Sequence, residues 1–310
     1  MFKLSRENQH ALANGYLGAS LDAYAIIKAS GATVLDYLQG QITQDMKRRS
    51  PSPGIYAASL PPQGKSVSDM HIIQGHNHEL IIIARKACAE ALVGRLRQFA
   101  LGHELRIGMV DSYKLFSIQG SRCDDFLELH NLPIPDTSHL NSAAASGTEI
   151  FTIRMAEAAD DGIWIITDDA EAIGSLSDEA AIQTARILKG FPTYGIDWNE
   201  KVFPLNANLI EFNGVDFDKG CYVGQEITSR MQWRGGIKKR LYRVELESFP
   251  VELPSPISTT VEIGLITSAA MDGEGVVHAI AHLPIESVES GSPLVDANGD
   301  SIQIIEACHV

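Results

Sequence analysis

Cysteine is scarce in this chain of 310 residues, and its few thiols are scattered. The four cysteines lie so far apart that no C-x-x-C pair occurs. That spacing excludes a disulfide framework, and it predicts no metal site built from this chain alone. The scarcity favours a reducing compartment, either the cytoplasm or, in a eukaryote, the mitochondrial matrix. The thiols are Cys88, Cys123, Cys221 and Cys308.

Long hydrophobic runs are also missing. A membrane-spanning helix needs about 18 consecutive apolar residues, whereas the apolar run Leu80–Ala84 is only long enough for a strand. The N-terminal residues lack the continuous apolar core of a signal peptide. The sequence therefore predicts that the chain has no membrane partner.

Positive charge is in deficit, since 25 basic residues face 39 acidic ones and the net charge is −14. A charge of that sign repels a phosphate backbone, which argues against nucleic acid as a partner. The positive charge is nevertheless concentrated between Ile227 and Val244, where no acid occurs and basic residues surround Trp233. Such a run is most often a solvated face, but on an acidic protein it indicates a local anion site. The basic residues are Arg230, Arg234, Lys238, Lys239, Arg240 and Arg243.

Two similar segments predict a duplicated unit. Ala25–Ala29 and Leu115–Gln119 each have the pattern of a strand, followed by Gly31 or Gly120 and then by a short helix. Strand-like runs and a longer helical pattern follow both, which indicates two α+β layers. From Lys239 onward, short alternating runs between turn residues are typical of a small all-β sandwich or barrel. The predicted units are residues 1–110, 111–231 and 232–310.

The most specific motif is Lys219-Gly220-Cys221-Tyr222-Val223-Gly224-Gln225-Glu226. Helical apolar spacing begins just after it, so Cys221 is predicted to lie on a loop that enters a short helix. A thiol beside a lysine and near helix N–H groups gains thiolate reactivity, so Cys221 is expected to react faster than the other three cysteines. The alternative is a buried structural cysteine in a tight turn.

The order K-G-C-Y-x-G-Q-E resembles the signature of the YgfZ family, folate-binding proteins of iron-sulfur cluster maturation that are related to the aminomethyltransferases (T-proteins) of glycine cleavage. Residues 38–45, 203–209 and 264–268 resemble other segments of the family, so the resemblance spans essentially the whole chain. It implies an α+β fold with two ferredoxin-like α+β units plus a C-terminal antiparallel β-barrel. The resemblance further implies that these units form an aminomethyltransferase-like cloverleaf around a central folate site.

The resemblance leaves two branches of the superfamily to choose between. The transferases carry an aspartate on the strand after a glycine turn, and Asp69 after Gly64 resembles it, with a surface aspartate as the equal alternative. The transferases also carry an asparagine where this chain has Ala84, and a glutamate where it has Leu188. Because a leucine cannot accept hydrogen bonds from a pterin edge, the balance favours the YgfZ branch.

The resemblance implies a folate-binding accessory protein for iron-sulfur cluster assembly or repair, with tetrahydrofolate or a one-carbon derivative as cofactor. Its implied partners are folate and iron-sulfur client or carrier proteins. Cys221 would either ligate a transient iron-sulfur cluster shared with a partner or attack an electrophilic adduct, and Asp69 is the second catalytic candidate. Two alternatives stay open: an enzyme, namely a tetrahydrofolate-dependent aminomethyltransferase, and a non-catalytic folate-binding module that recruits client proteins.

The resemblance also implies which residues hold the folate. Lys219 is expected to support the Cys221 thiolate as well, and the cations are expected to hold carboxylates of the folate tail. The expected contacts are Lys219, Tyr222, Gln225, Glu226, Arg230, Trp233, Arg234, Lys238, Asn206 and Gln41.

Overall fold

The computed structural model describes residues 2–47, 54–75, 79–136, 142–146, 150–154, 162–171, 173–174, 176, 178–258 and 263–309. These residues form helices α1 Arg6–Asn14, α2 Val34–Gln39, α3 Lys86–Gln98, α4 Cys123–Leu129, α5 Glu179–Leu188, α6 Gln225–Trp233 and α7 Ile285–Glu289. The strands are β1 Phe2–Lys3, β2 Leu17–Ser20, β3 Tyr24–Ser30, β4 Gly54–Ser59, β5 Ser68–Gln74, β6 Glu79–Arg85, β7 Arg106–Met109, β8 Lys114–Gln119, β9 Ala143–Ser146, β10 Ile150–Arg154, β11 Gly162–Thr167, β12 Lys239–Leu246, β13 Ser255–Ile257, β14 Gly264–Met271, β15 Val277–Pro284 and β16 Ile302–Ala307.

The first sheet has the strand order β4-β5-β6-β3-β7, and all its pairs are antiparallel. Its strand β6 is buried on both faces: Leu80 and Ile82 pack with α3 in one core, while Ile81 and Ile83 pack against the second sheet. A strand covered on both sides needs apolar residues at every position. That requirement explains the continuous apolar run in the sequence.

The second sheet repeats this arrangement with the order β2-β8-β11-β10-β9. In each sheet a strand leads through a glycine with positive φ, Gly31 or Gly120, into a short helix, α2 or α4. The duplicated strand-turn-helix unit is thus confirmed. The edge strand β7 of the first sheet has its counterpart in β2, which comes from the N-terminal end of the chain.

The third sheet has the order β1-β14-β15-β12-β16, and β13 also pairs with β14. The predicted short strands from Lys239 onward are confirmed, and the N-terminal β1 joins them as a parallel neighbour of β14. Residues 2–20 therefore extend the second and third sheets, although the predicted boundaries assign them to the first unit. β1 and β2 join these sheets by pairing with strands far along the chain. Such long-range pairing leaves no signal in the local sequence pattern.

The first unit, α5 and the third sheet meet in one central apolar cluster. Leu60 of the first unit, Ile187 of α5, and Leu241 and Ile280 of the third sheet all pack in it. Most of its remaining members come from residues 191–222, a stretch without long helices or strands. The described residues thus form an α+β fold whose sheets are joined through an irregular central segment. None of the described helices is long and apolar enough to cross a membrane.

The glycine at the end of β3 allows a test of the duplicated unit. A Cβ on Gly31 would overlap the carbonyl oxygen of Glu104, and its φ of +130° already disfavours any side chain. We expect Gly31→Ala to lower the free energy of unfolding by about 2–4 kcal/mol, measured by urea denaturation. Gly102→Ala is the control, because Gly102 has a φ of +85° but open space around it. An equal loss in the two variants would contradict the close approach.

Candidate functional site

Residues 190–224, called the central segment below, cross the interior and place buried polar groups there. Asp197 is the best satisfied of these groups. Its carboxylate forms a buried ion pair with Arg186 of α5 at 2.7 Å and accepts hydrogen bonds from the Thr267 and Ser268 hydroxyls at 2.8 and 2.6 Å. It also accepts the backbone N–H of Thr193. One carboxylate therefore holds α5, the central segment and the third sheet together.

Asn208 ties the same segment to the third sheet. Its side chain donates to the carbonyl oxygens of Leu241 and Cys308 and accepts the N–H of Leu241, all within 3 Å. Its φ of 61° lies in the left-handed region that asparagine tolerates better than most residues. The family-like segment around Asn206 and Asn208 thus continues the hydrogen bonding of β12.

Lys219 ties the cysteine loop to the first unit. Its ammonium is buried and donates to the carbonyl oxygens of Ile42 and Gln44 at 2.8 and 2.7 Å. Burial lowers the pKa of Lys219 to about 8. Two of the three ammonium donors are thus taken by backbone carbonyls, and these contacts are structural. The predicted contact with folate and the predicted support of the Cys221 thiolate stay predictions.

The loop leaves the thiol of Cys221 exposed. On either side the loop is anchored, by Lys219 and by the Val223 N–H, which donates to the carbonyl oxygen of Gly40. Gly224 then begins α6 with a φ of 85°, and a Cβ there would meet Leu60. The prediction of a loop entering a short helix is confirmed. The alternative of a buried structural cysteine is wrong.

The other predicted residues of the loop are divided between core and surface. Tyr222 is 7% exposed and packs in the central cluster, where burial raises its pKa to about 12. Its ring packs in the core, and its predicted contact with folate stays a prediction. Gln225 is half-buried and Glu226 is exposed.

The residues of the basic cluster differ in whether they form ion pairs. Arg240 and Arg243 form ion pairs with Glu211 and Glu306, so acids from distant segments neutralise part of the run. Arg230 pairs with Glu226 one helical turn earlier, at an exposed site where such a pair adds little. The exposed residues Trp233, Arg234 and Lys238 lie at the end of α6 and in the turn that follows.

A second group of titratable side chains surrounds Asp69 on β5. The Tyr56 hydroxyl donates to the Asp69 carboxylate at 2.8 Å. The Asp69 side chain keeps some contact with solvent. Burial nevertheless raises its pKa to about 6. The hydrogen bond from Tyr56 and the charge of Arg85 oppose this rise only in part. A carboxyl group with this pKa can give or take a proton near neutral pH.

The central segment also packs beside Asp69. The side chains of Asp69, Tyr56, Tyr194, Cys88 and Glu200 are together called the Asp69 recess below. The Tyr194 hydroxyl is shared between the backbone carbonyls of Ser66 and Val67, three and two residues before Asp69. Burial raises the pKa of Tyr194, and the charges of Cys88, Asp69 and Glu200 add to the rise. Burial likewise raises the pKa of Cys88, with Asp69 as the next cause. These four side chains therefore share one electrostatic environment.

A row of aromatic rings continues from the recess between the first two sheets. Tyr56 lies 4.9 Å from His71, His71 lies 5.1 Å from Trp164, and Trp164 lies 5.1 Å from Tyr24, measured between ring centroids. Trp164 belongs to β11 and is 1% exposed. The row joins the Asp69 side of the first sheet to the second sheet through flat apolar surfaces.

Buried polar atoms without hydrogen-bond partners among the described residues show where a polar ligand would fit. The side-chain oxygens of Gln41 and Asn206 are such acceptors, and the indole N–H of Trp198, whose ring lies 4.8 Å from Tyr194, is such a donor. Buried groups of this kind are normally satisfied. A pterin edge carries donors and acceptors of the complementary kinds, so these groups are candidates for contacts with a folate. Gln41 and Asn206 remain predicted folate contacts.

Ala84 does not bear on that site. Its side chain packs in the core between the first sheet and α3, so an asparagine there would not reach the recess. The argument from Ala84 is therefore wrong for this chain, and the neighbouring Arg85 is the residue whose charge acts on Asp69. Leu188, in contrast, packs against the central cluster.

Sequence reasoning missed Tyr56, His71, Cys88, Tyr194 and Glu200. A signal existed for His71, because residues two apart on a strand share a face and His71 follows Asp69 at that spacing. No local signal marks Cys88, whose helical pattern predicts burial although the residue is half-buried. The predicted burial of Cys123 and Cys308 is confirmed.

A separate cavity of about 610 Å³ includes neither Asp69 nor Cys221. It is lined by residues from the first two sheets and α3, among them Tyr24, Lys86, Glu90 and Asp111. Within the described ranges no cluster of three or more histidine, cysteine or acidic side chains is arranged to hold a metal ion.

Comparison with known proteins gives the same family as the cysteine loop. The chain is 26% identical over 232 residues to the tRNA-modifying protein YgfZ of Yersinia enterocolitica, covering 72% of this chain and 69% of that protein. The protein of the same name from Hamiltonella defensa is 27% identical over 238 residues, covering 72% and 68%. No protein-family model matches the chain. The resemblance to the YgfZ family is thus confirmed.

Among solved structures, the fold is similar to aminomethyltransferase T of the glycine cleavage system from Bartonella henselae. The TM-score is 0.82, and the match covers 99% of this chain and 90% of the transferase. The sequences are only 17% identical, so this likeness shows the fold alone. The described residues form a mixed α+β fold similar to that transferase.

The raised pKa of Asp69 predicts a pH-dependent effect on stability. The protonated carboxyl is favoured in the folded state, so its contribution is complete below about 3.8, its ordinary pKa, and is lost as the pH rises through about 6. Asp69→Asn should therefore raise the free energy of unfolding by about 1–2 kcal/mol at pH 7.5, and by less at pH 5.5. Urea denaturation of both proteins measures this difference. With exposed Asp111→Asn as control, a gain independent of pH would contradict the burial of Asp69.

Differences in exposure predict the order in which the four thiols react. Cys221 should be carboxymethylated by iodoacetamide first, half-buried Cys88 more slowly, and buried Cys123 and Cys308 only after unfolding. Site-resolved mass spectrometry over a time course measures each rate. The Cys221→Ser variant is the control, and it should lose the fast phase alone. Labelling of Cys221 no faster than that of Cys308 would show that the loop closes over the thiol in solution.

Proposed function

We propose that this protein is a folate-binding accessory protein for the assembly or repair of iron-sulfur clusters. Tetrahydrofolate, or a one-carbon derivative of it, binds in the Asp69 recess, and the Cys221 thiol faces a partner protein. One observation carries the proposal: the central segment that lines the recess with Tyr194 and Glu200 also presents the exposed Cys221. A ligand site and a reactive thiol are thereby held by a single tethered segment.

The protein's own residues suit this division of work. Asp69 holds or moves a proton at the pterin edge, since its pKa of about 6 lies near neutral pH. The Tyr56 hydroxyl donates a hydrogen bond to that carboxylate, and Tyr194 lies close enough for the charge of Asp69 to act on its pKa. The tail carboxylate of a monoglutamyl folate is proposed to reach Arg230 on α6. Gly64 packs against Ile227 of α6. Asp69 follows Gly64 by five residues, which span about 16 Å when extended, so Asp69 lies within about that distance of the part of Gly64 that contacts α6.

Cys221 is proposed as one thiolate ligand of a cluster whose other ligands come from the partner. The four cysteines are on separate elements, and only Cys221 is exposed, so this chain offers one ligand and not four. A cluster bound in this way is the partner's cargo. The cytoplasm or a mitochondrial matrix, where thiols stay reduced, is the proposed compartment.

The name of the YgfZ relatives connects those proteins with tRNA modification. For this chain a net charge of −14 disfavours direct binding of RNA. We propose that any link to tRNA runs through a client enzyme that modifies tRNA. We also propose the finer architecture that the resemblance implies, two ferredoxin-like units and a closed barrel in a cloverleaf around the folate.

Aminomethyl transfer is the second candidate function, and the observation in its favour is Asp69 with its raised pKa. Against it stands Leu188, which offers no polar group at the central cluster. Turnover of an aminomethylated lipoyl carrier with tetrahydrofolate, lost in Asp69→Asn, would favour the transferase. A folate-binding module without chemistry would instead leave Cys221→Ser fully functional.

Calorimetric titration with tetrahydrofolate and its formyl and methylene forms tests the ligand. We expect binding, and we expect Asp69→Asn to weaken it about tenfold, which corresponds to the loss of one hydrogen bond to a charged group. Bound folate should also slow the labelling of Cys88, which lies near Asp69. Cells that depend on this protein should lose the activity of iron-sulfur enzymes when they carry only Cys221→Ser.

The exposed Lys201→Met variant is the matched control for both assays, because Lys201 lies on the central segment outside the recess and the cysteine loop. It should bind folate and support the enzymes as the unaltered protein does. Absence of heat with every folate would remove the ligand from the proposal, and full activity with Cys221→Ser would remove the thiol.

A further inference from the structure

Trp233 is an exposed aromatic side chain, and packing in a core does not explain its presence. Its indole is 72% exposed, whereas Trp164 and Trp198 are 1% and 2% exposed. The ring rests edge-on against Phe217 with centroids 6.0 Å apart. A ring stacked on folate in a closed site would be mostly covered. An indole left in water at the end of a helix is instead typical of the residues that carry protein–protein binding energy.

Two cations beside Trp233 have no ion-pair partner in the part of the chain that the structure describes. Arg234 and Lys238 are exposed, while Arg230, Arg240 and Arg243 each pair with an acid. The remainder of the protein is strongly acidic, with a net charge of −14. The surface formed by Trp233, Arg234 and Lys238, called the Trp233 face below, is therefore a local positive site with an apolar centre.

The Trp233 face is held in place by its surroundings. Ile227 of α6 packs against Gly64, and the turn after the helix closes with the Gly236 N–H bonded to the carbonyl oxygen of Met231. A surface that is already rigid loses little conformational freedom when a partner binds.

The face also lies near the thiol. Phe217, which contacts Trp233, precedes Cys221 by four residues, a chain path of at most about 14 Å. A protein bound at Trp233 would therefore have its neighbouring groups within reach of Cys221.

We propose that the Trp233 face docks an acidic segment of the partner protein whose cluster Cys221 serves; this inference rests on the proposed function. The indole enters an apolar cleft of the partner, and Arg234 and Lys238 meet carboxylates around it. Charge complementarity favours an acidic protein, since a positive patch on an acidic molecule steers acidic partners to that patch alone. A second copy of this chain would have to present a different, acidic surface to this face, which is a head-to-tail contact and not the symmetric one of most dimers. RNA would be repelled by the rest of the surface.

Acrylamide quenching of tryptophan fluorescence tests the proposal, because Trp233 is the accessible one of the three tryptophans. The probe is a synthetic amphipathic helix of glutamate and leucine, added to the full chain without folate. We expect the probe to reduce quenching and high salt to reverse the effect. With a dye-labelled probe, fluorescence anisotropy should show binding weakened about tenfold in Trp233→Ala and in the double variant Arg234→Ala/Lys238→Ala, a factor in keeping with the loss of one anchor residue.

The double variant Lys86→Ala/Lys114→Ala removes the same charge from two exposed lysines elsewhere and should bind the probe unchanged. A helix of lysine and leucine should not bind. The proposal is overturned if the acidic helix does not protect Trp233 from quenching, or if single-stranded RNA protects it equally. It is also overturned if sedimentation shows that the chain self-associates through this face, or if a polyglutamylated folate displaces the probe. Since docking is measured without folate, a failed folate titration leaves this result standing and rejects only the proposed function.

Discussion

The fold depends on satisfying the buried polar groups of one irregular segment. Backbone N–H and C=O groups inside a protein need hydrogen-bond partners, and helices and strands supply them automatically. The central segment, residues 190–224, has little regular structure and yet crosses the interior. Its partners therefore come from side chains: Asp197 reaches α5 and the third sheet, Asn208 continues β12, and Lys219 reaches the first unit. The same segment therefore positions the first unit, α5 and the third sheet.

Lys219 shows what this arrangement costs and what it provides. Burying an ammonium is unfavourable, as its lowered pKa of about 8 indicates. Two carbonyl oxygens, those of Ile42 and Gln44, compensate for the lost water. The result is a loop anchored two residues before Cys221 and again at Val223. The thiol is exposed while its backbone is fixed, which suits a group that meets a partner in a defined geometry.

The sequence predicts those parts of the molecule in which local pattern decides the structure. The glycine turns at Gly31 and Gly120, the strands after Lys239 and the helix after Cys221 follow from spacing and turn chemistry. The partners of Lys219 and the neighbours of Asp69 lie far along the chain, and no periodicity encodes them. The same limit explains the exchange of β1 and β2 into distant sheets, since the register of an edge strand depends on the sheet that it joins.

The recess combines a proton-transfer group with few groups that would orient a substrate. Asp69 has a pKa near neutral pH, and Arg85 and Tyr56 stabilise its charged form. Transfer of a one-carbon group also requires that the reacting atoms be held in line. Such positioning supplies a large part of the rate enhancement of an enzyme. Leu188 contributes an apolar surface to the central cluster, and Ala84 faces away into the core. Because the acid is present and the orienting carboxylate is absent, the site is proposed to bind a reduced folate without turning it over. In the proposed function, the exposed thiol on the tethered loop is the group that brings bound folate and a partner protein to one molecule.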